Sequence, residues 1–144
     1  MKRKILSIIL SVIMVIGMIP FTALPAFAAE TVTVDYIDET GSLQTADCRE
    51  ITADTRSLGS GWYVVNSSIR FPDGAYLSVD GNANVIVCDD CELVIMSVGA
   101  FFPAIKVNNG KSLTVFGQEA GSGEIEVRGG ENCAGISVAS ASDA

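Results

Sequence analysis

Three sets of residues have types and spacing that could do chemistry. The first is the cysteines, Cys48, Cys88, Cys91 and Cys133. Thiolates form disulfides, hold zinc or attack electrophiles. The chain has no histidine, and a zinc site on Cys88-Asp-Asp-Cys91 would need a second pair of thiols or imidazoles. A thioredoxin-like centre would need a helix N-terminus beside the CxxC, whereas this one falls between strand-like segments. Cys88 and Cys91 can reach each other across a corner. They read as a local disulfide or as two free thiols, with Cys48 and Cys133 unassigned.

The second set is acidic and amide. Asp89, Asp90 and Glu92 share one corner, and Asp80, Asn82 and Asn84 share another. Asn108 and Asn109 stand 20 positions after 88 and 89, so a 20-residue repeat would stack them near Asp89. Carboxylate and amide oxygens at a turn are what calcium takes. Asp89, Asp90, Asn108 and Asn109 are therefore a candidate calcium set. The competing reading is that Asp and Asn are ordinary corner residues bonding their own backbone. No EF-hand loop or glycine-rich calcium nonapeptide is present.

The third set is aromatic: Trp62, Tyr63, Tyr76, Phe101, Phe102 and Phe116. Flat apolar rings on a solenoid surface can stack sugar rings, though such residues also serve as core or cap. Phe101-Phe102-Pro103 sits in a longer connection, where a loop would bulge outward and present an apolar patch. Phe101, Phe102, Trp62 and Tyr63 are the candidate ligand platforms. Catalysis has the least support. A Ser-His-Asp set is impossible without histidine, Asp89 and Asp90 would diverge rather than converge on one bond, and Asn109-Gly-Lys-Ser112 lacks the upstream glycine of a phosphate loop.

The elements that must position these residues follow from a spaced echo. NVIV at 84–87, AIKV at 104–107 and EIEV at 124–127 are 20 positions apart, beside ELVI at 92–95 and SLTV at 112–115. Short β-branched runs at such a period read as an all-β chain, a right-handed parallel β-helix or β-solenoid of about four rungs across 62–138. Short strands are expected at 62–65, 69–71, 75–79, 84–87, 92–95, 104–107, 112–116, 123–128 and 134–138, separated by Gly/Asn/Asp turns. Val85, Val87, Ile105, Val107, Ile125 and Val127 should stack inward, and Ile86, Lys106 and Glu126 should face out. Leu93, Ile95, Leu113 and Val115 form a second inward stack that ends on Ile136. A β-sandwich is the competing architecture.

Residues 29–61 differ in character. Thr31–Tyr36 alternates like a strand, Asp38-Glu-Thr-Gly41 is a turn, and 42–51 can return as a second strand. This hairpin is expected to cap the open start of the solenoid, followed by a polar loop at 52–61. Residues 1–28 read as a cleaved signal peptide: Lys2, Arg3 and Lys4, an apolar run from Ile5 to Ile19, and an Ala26-Phe27-Ala28 cleavage site. Nine bases against 17 acids give a net charge of −8, and loss of three bases with the signal leaves −11. That charge disfavours nucleic acid and anionic lipid as partners. No second apolar stretch follows, so no membrane association is expected after cleavage. The chain ends on Ser140-Ala-Ser-Asp-Ala144 just after a strand-like segment, which reads as a truncated solenoid or as an edge open to self-association.

Gly61-Trp-Tyr-Val-Val65 and the run GKSLTVFGQEAGSGEIEVRGGENCAGI at 110–136 resemble a module of long, repetitive secreted or cell-surface proteins of gut Firmicutes. Tyr36-Ile-Asp38 and Gly41 match that module's opening YxDxxG hairpin. The resemblance covers most of the chain after residue 28 and departs at Cys88-Asp-Asp-Cys91. It implies a β-solenoid, often labelled carbohydrate-binding, with little established activity. The expected function is a secreted, non-catalytic module for glycan or surface attachment, with a glycan or another surface protein as partner and calcium as the one candidate cofactor. The alternatives are a structural stalk or adhesin segment without a small ligand, and a fragment of a solenoid polysaccharide-active enzyme.

Overall fold

The computed structural model describes residues 30–139, so the expected signal peptide and the last five residues lie outside the described part. Within it the chain is all-β, with 12 strands and no helix. The strands are β1 (Thr31–Ile37), β2 (Leu43–Glu50), β3 (Ser57–Leu58), β4 (Gly61–Val65), β5 (Ile69–Arg70), β6 (Leu77–Val79), β7 (Asn82–Val87), β8 (Glu92–Met96), β9 (Ile105–Val107), β10 (Ser112–Gly117), β11 (Glu124–Arg128) and β12 (Ile136–Val138).

They form three sheets: β1-β2-β4-β7-β10, then β11-β8-β5, then β12-β9-β6-β3. Every pairing is parallel except the β1–β2 hairpin. From β4 onward, successive strands enter the three sheets in one cyclic order, three times over. Alternation within each short strand turns one set of side chains inward. Val85, Val87, Ile105, Val107, Leu93 and Ile95 are buried in one continuous core with Leu58, Tyr63, Val65, Phe71 and Leu77. Ile125, Val127 and Leu113 are partly buried against it, while Lys106 and Glu126 face out as expected.

The strands fall where the turns predict, but the stacking does not. Val85 lies beside Tyr63 and Val115, Ile105 beside Leu77 and Ile136, and Ile125 beside Leu93. Residues 20 apart therefore occupy different sheets. A circuit runs through three strands, and the 20-residue echo spans only two of its sides. From β3 onward, register offsets between parallel neighbours range from 21 residues (Ser57 to Ser78) to 32 (Glu92 to Glu124). Three circuits of unequal length thus replace the expected four of 20 residues. Val115 and Ile136 are inward-facing yet half exposed, because β10, β11 and β12 are the terminal strands of their sheets.

The N-terminal hairpin forms as expected and joins the first sheet. β2 extends the first sheet by pairing with β4, at Arg49 to Tyr63 and Glu50 to Val64. β1 then rolls over the sheet's outer face, where Val32, Val34, Tyr36 and Ala46 pack on Cys48, Val64 and Ile86. β2 thus covers the starting edge of the first sheet, and β1 in addition roofs that sheet's outer face. Ile86 does point away from the main core, but this second cluster buries it fully. The expected polar loop at 52–61 contains β3, whose Leu58 is fully buried.

Candidate functional site

The outer face of the first sheet carries side chains in cross-strand rows. Trp62, Asn84 and Thr114 are register partners across β4, β7 and β10, and Val64, Ile86 and Phe116 form the next row. The hairpin covers the second row and leaves the first open. The result is a cleft of about 610 Å³ lined by Trp62, Asn84, Thr114, Tyr36, Phe116 and the turn residues Asp38 to Thr40. Three rings meet there: Tyr36 and Trp62 have centroids 4.7 Å apart, Tyr36 and Phe116 4.9 Å, Trp62 and Phe116 5.2 Å. Tilted and edge contacts at these distances stabilise by about 0.5–1.5 kcal/mol per pair beyond burial, so the rings hold one another in place.

Two polar devices set the roof's position. Gln118 donates from Nε2 to the Asp35 carbonyl at 3.0 Å and accepts the Asp89 N–H on Oε1 at 2.9 Å. One side chain thus ties β1 to the corner after β7. Asp38 closes the hairpin turn: its Oδ1 accepts from the Thr40 hydroxyl at 2.6 Å and from the Thr40 and Ser42 amides at 2.9 Å each. The Thr40 hydroxyl foremost, then the Ser42 amide, draws the Asp38 carboxyl down to about 2.

The structure divides the expected platforms. Trp62 is in the cleft. Tyr63 is 5% exposed, faces the main core, and carries the Arg49 guanidinium 4.3 Å over its ring. It is a core residue, because alternation on β4 sends it to the opposite face from Trp62. Phe101 and Phe102 do bulge outward, 74% and 56% exposed, in the connection between β8 and β9, away from Trp62. The alternation of Tyr36 with Val32 and Val34 marks the face that meets Trp62, but not the rolling that brings them together.

The calcium set is not assembled. Asn108 donates to the Asp80 carboxylate and, at 3.4 Å, to Ser78. Asp80 also accepts from Ser57 and Ser78, and these bonds, the Ser57 hydroxyl's foremost, lower its pKa. Asp89 lies at another corner and accepts the Ala120 amide at 3.0 Å and the Ser122 amide at 3.2 Å. The unequal circuits separate 89 from 108 and 109. Among the described residues no three Cys, Asp or Glu side chains are grouped to hold a metal ion. All four cysteines are free thiols. Cys88 and Cys91 flank a tight turn in which the Cys91 amide donates to the Cys88 carbonyl at 3.2 Å. Burial pushes the Cys48 and Cys88 thiols up, Asp47 adding to the effect at Cys48 and Cys91 at Cys88.

No family model, curated protein or solved structure matches this chain. The site therefore rests on its own geometry. Tyr36, Asp38, Trp62 and Phe116, scattered over more than half of the sequence, converge on one cleft whose open floor presents an indole, an amide and a hydroxyl in a row.

Proposed function

We propose that the chain is an exported, right-handed β-solenoid module that binds a neutral glycan in the cleft beside its N-terminal hairpin, without catalysis. The observation that carries this reading is the Trp62–Asn84–Thr114 row beside Tyr36 and Phe116. An aromatic face takes the C–H side of a pyranose ring, while amide and hydroxyl groups bond its hydroxyls. A volume of about 610 Å³ falls within the range of small-molecule sites, ~300–1,000 Å³. The cyclic strand order through three parallel sheets supports a solenoid, and parallel crossovers are right-handed in about 98% of cases. Cleft-lining Asp38 is engaged by its own turn, which suits holding a ligand rather than attacking one. The N-terminal sequence pattern and the resemblance to secreted Firmicutes modules support export and a cell-surface setting. An acid-rich chain disfavours nucleic acid.

Trp62 is the only tryptophan, so its fluorescence reports on the cleft directly. A panel of neutral oligosaccharides, titrated with and without EDTA, should contain one that shifts this emission and binds equally in both. Trp62→Phe, Asn84→Ala and Thr114→Ala should each weaken binding about tenfold. Loss of binding in EDTA would make the module calcium-dependent. A folded protein that binds no neutral glycan would overturn the reading in favour of a stalk or display segment.

A further inference from the structure

The Phe101–Phe102 loop belongs to a second concavity, on the outer face of the third sheet. It is about 290 Å³ in volume, and its lining includes Tyr76, Phe101, Phe102, Lys106, Cys133 and Ser137. Lys106 and Ser137 are register partners on β9 and β12, which fixes them side by side on the floor.

The loop is built to stand out. Phe101 has φ of 69°, in the left-handed region that bulky residues avoid. Backbone bonds hold it there: the Phe101 amide donates to the Glu131 carbonyl at 3.1 Å, Glu131 to Gly99 at 3.1 Å, and Gly130 to Phe102 at 2.9 Å. A Cβ at Gly130 would fall on the Gly99 carbonyl oxygen, so only glycine allows this approach. Two large apolar rings are thus fixed in solvent, with Tyr76 and Val98 exposed as well.

Lys106 is the second observation. The described residues hold six bases against sixteen acids, and yet this lysine has no acid within ion-pair distance among them; the ion pair there is Arg70 with Asp73 at 4.0 Å. An ammonium with no ion-pair partner among the described residues, beside exposed rings, complements a ligand with one apolar face and one anionic group. At physiological salt, charges beyond about 8 Å are largely screened, which weakens the repulsion from the rest of the acid-rich chain.

We propose that this groove is a second binding site, for a sugar unit bearing a carboxylate, with its ring against Phe102 and Tyr76 and its carboxylate on Lys106. The volume suits one such unit. The site is separate from the Trp62 cleft and does not depend on it.

The test is calorimetric titration of the purified protein with oligogalacturonate and with its fully methyl-esterified form, in EDTA. The acid should bind, the ester at least tenfold more weakly, and added salt should weaken only the acid. Lys106→Ala and Phe102→Ala should each cost tenfold or more, whereas Trp62→Phe should change nothing. Equal binding of acid and ester, indifference to Lys106→Ala, or loss with Trp62→Phe would each overturn the proposal, as would binding of neutral phosphatidylcholine vesicles or a protein partner in place of the acid. Neutral-glycan binding by the Lys106→Ala protein reports separately on the Trp62 cleft.

Discussion

Asp38 shows how one side chain sets the rim of the cleft. Its four hydrogen bonds reach Thr40 twice, Ser42 and Gln44, and its folded pKa of about 2 lies below the ordinary 3.8. A depressed carboxyl stabilises the folded turn fully above about pH 4, and that contribution fades as pH falls through the folded value. The emission of Trp62 should therefore change between about pH 4 and pH 2, and Asp38→Ala should remove that part of the profile. Superimposable profiles would disconnect the turn from the cleft. At this scale the sequence was legible in kind but not in company. Trp62 stood out as a ring on a short strand, and Phe101 and Phe102 as rings in a long connection. Tyr63 looked equivalent to Trp62, although adjacent strand positions face opposite ways and only one could reach the surface. The echo places Asn108 and Asn109 near Asp89, whereas Asn108 bonds Asp80.

Strand positions could be read almost residue by residue, because Pro72-Asp-Gly, Asp80-Gly-Asn and Asn108-Asn-Gly break the chain wherever it must turn. The order in which strands visit sheets was hidden, since a run of 20 residues covers two sides of a three-sided circuit and neighbouring strands look alike. The rolled hairpin was hidden too. Val32, Val34 and Tyr36 declare an apolar face, but nothing local says that Val64 and Ile86 will receive it. Ile86→Ala and Gln118→Ala separate the two ways the hairpin is held. The first empties a fully buried position and should lower global stability by roughly 2–5 kcal/mol. The second removes the tie from Asp35 to Asp89 and should leave the main core intact. Hydrogen exchange should then quicken in 31–37 and at Asp89 while β7 to β9 stay protected; uniform quickening would mean that the tie is part of the global fold.

Across the whole molecule, the two proposed sites lie on different sheets and draw on different chemistry: an indole–amide–hydroxyl row flanked by the hairpin, and a ring pair beside one ammonium. Circuits of unequal length keep the sheets in register while the corners absorb extra residues, so the long connection carrying Phe101 and Phe102 costs the core nothing in alignment. The rolled hairpin has a mechanical consequence. The strand ladder of β1 runs along β2 alone, with Thr31 opposite Arg49 at the end away from the turn. Tension applied at Thr31 loads this ladder one bond at a time, like a zipper, whereas strands in the middle of a sheet must shear many bonds together. The peeling front meets the Gln118 anchor and the Tyr36 ring last, and Tyr36 is a wall of the cleft. A sugar bound against Tyr36 and Trp62 should therefore raise the force of the final step, and pulling should in turn weaken the sugar's binding, as reciprocity between two coupled equilibria demands. Optical-tweezer traces with and without the bound oligosaccharide would reveal this coupling, and identical rupture forces would show that grip and load are independent.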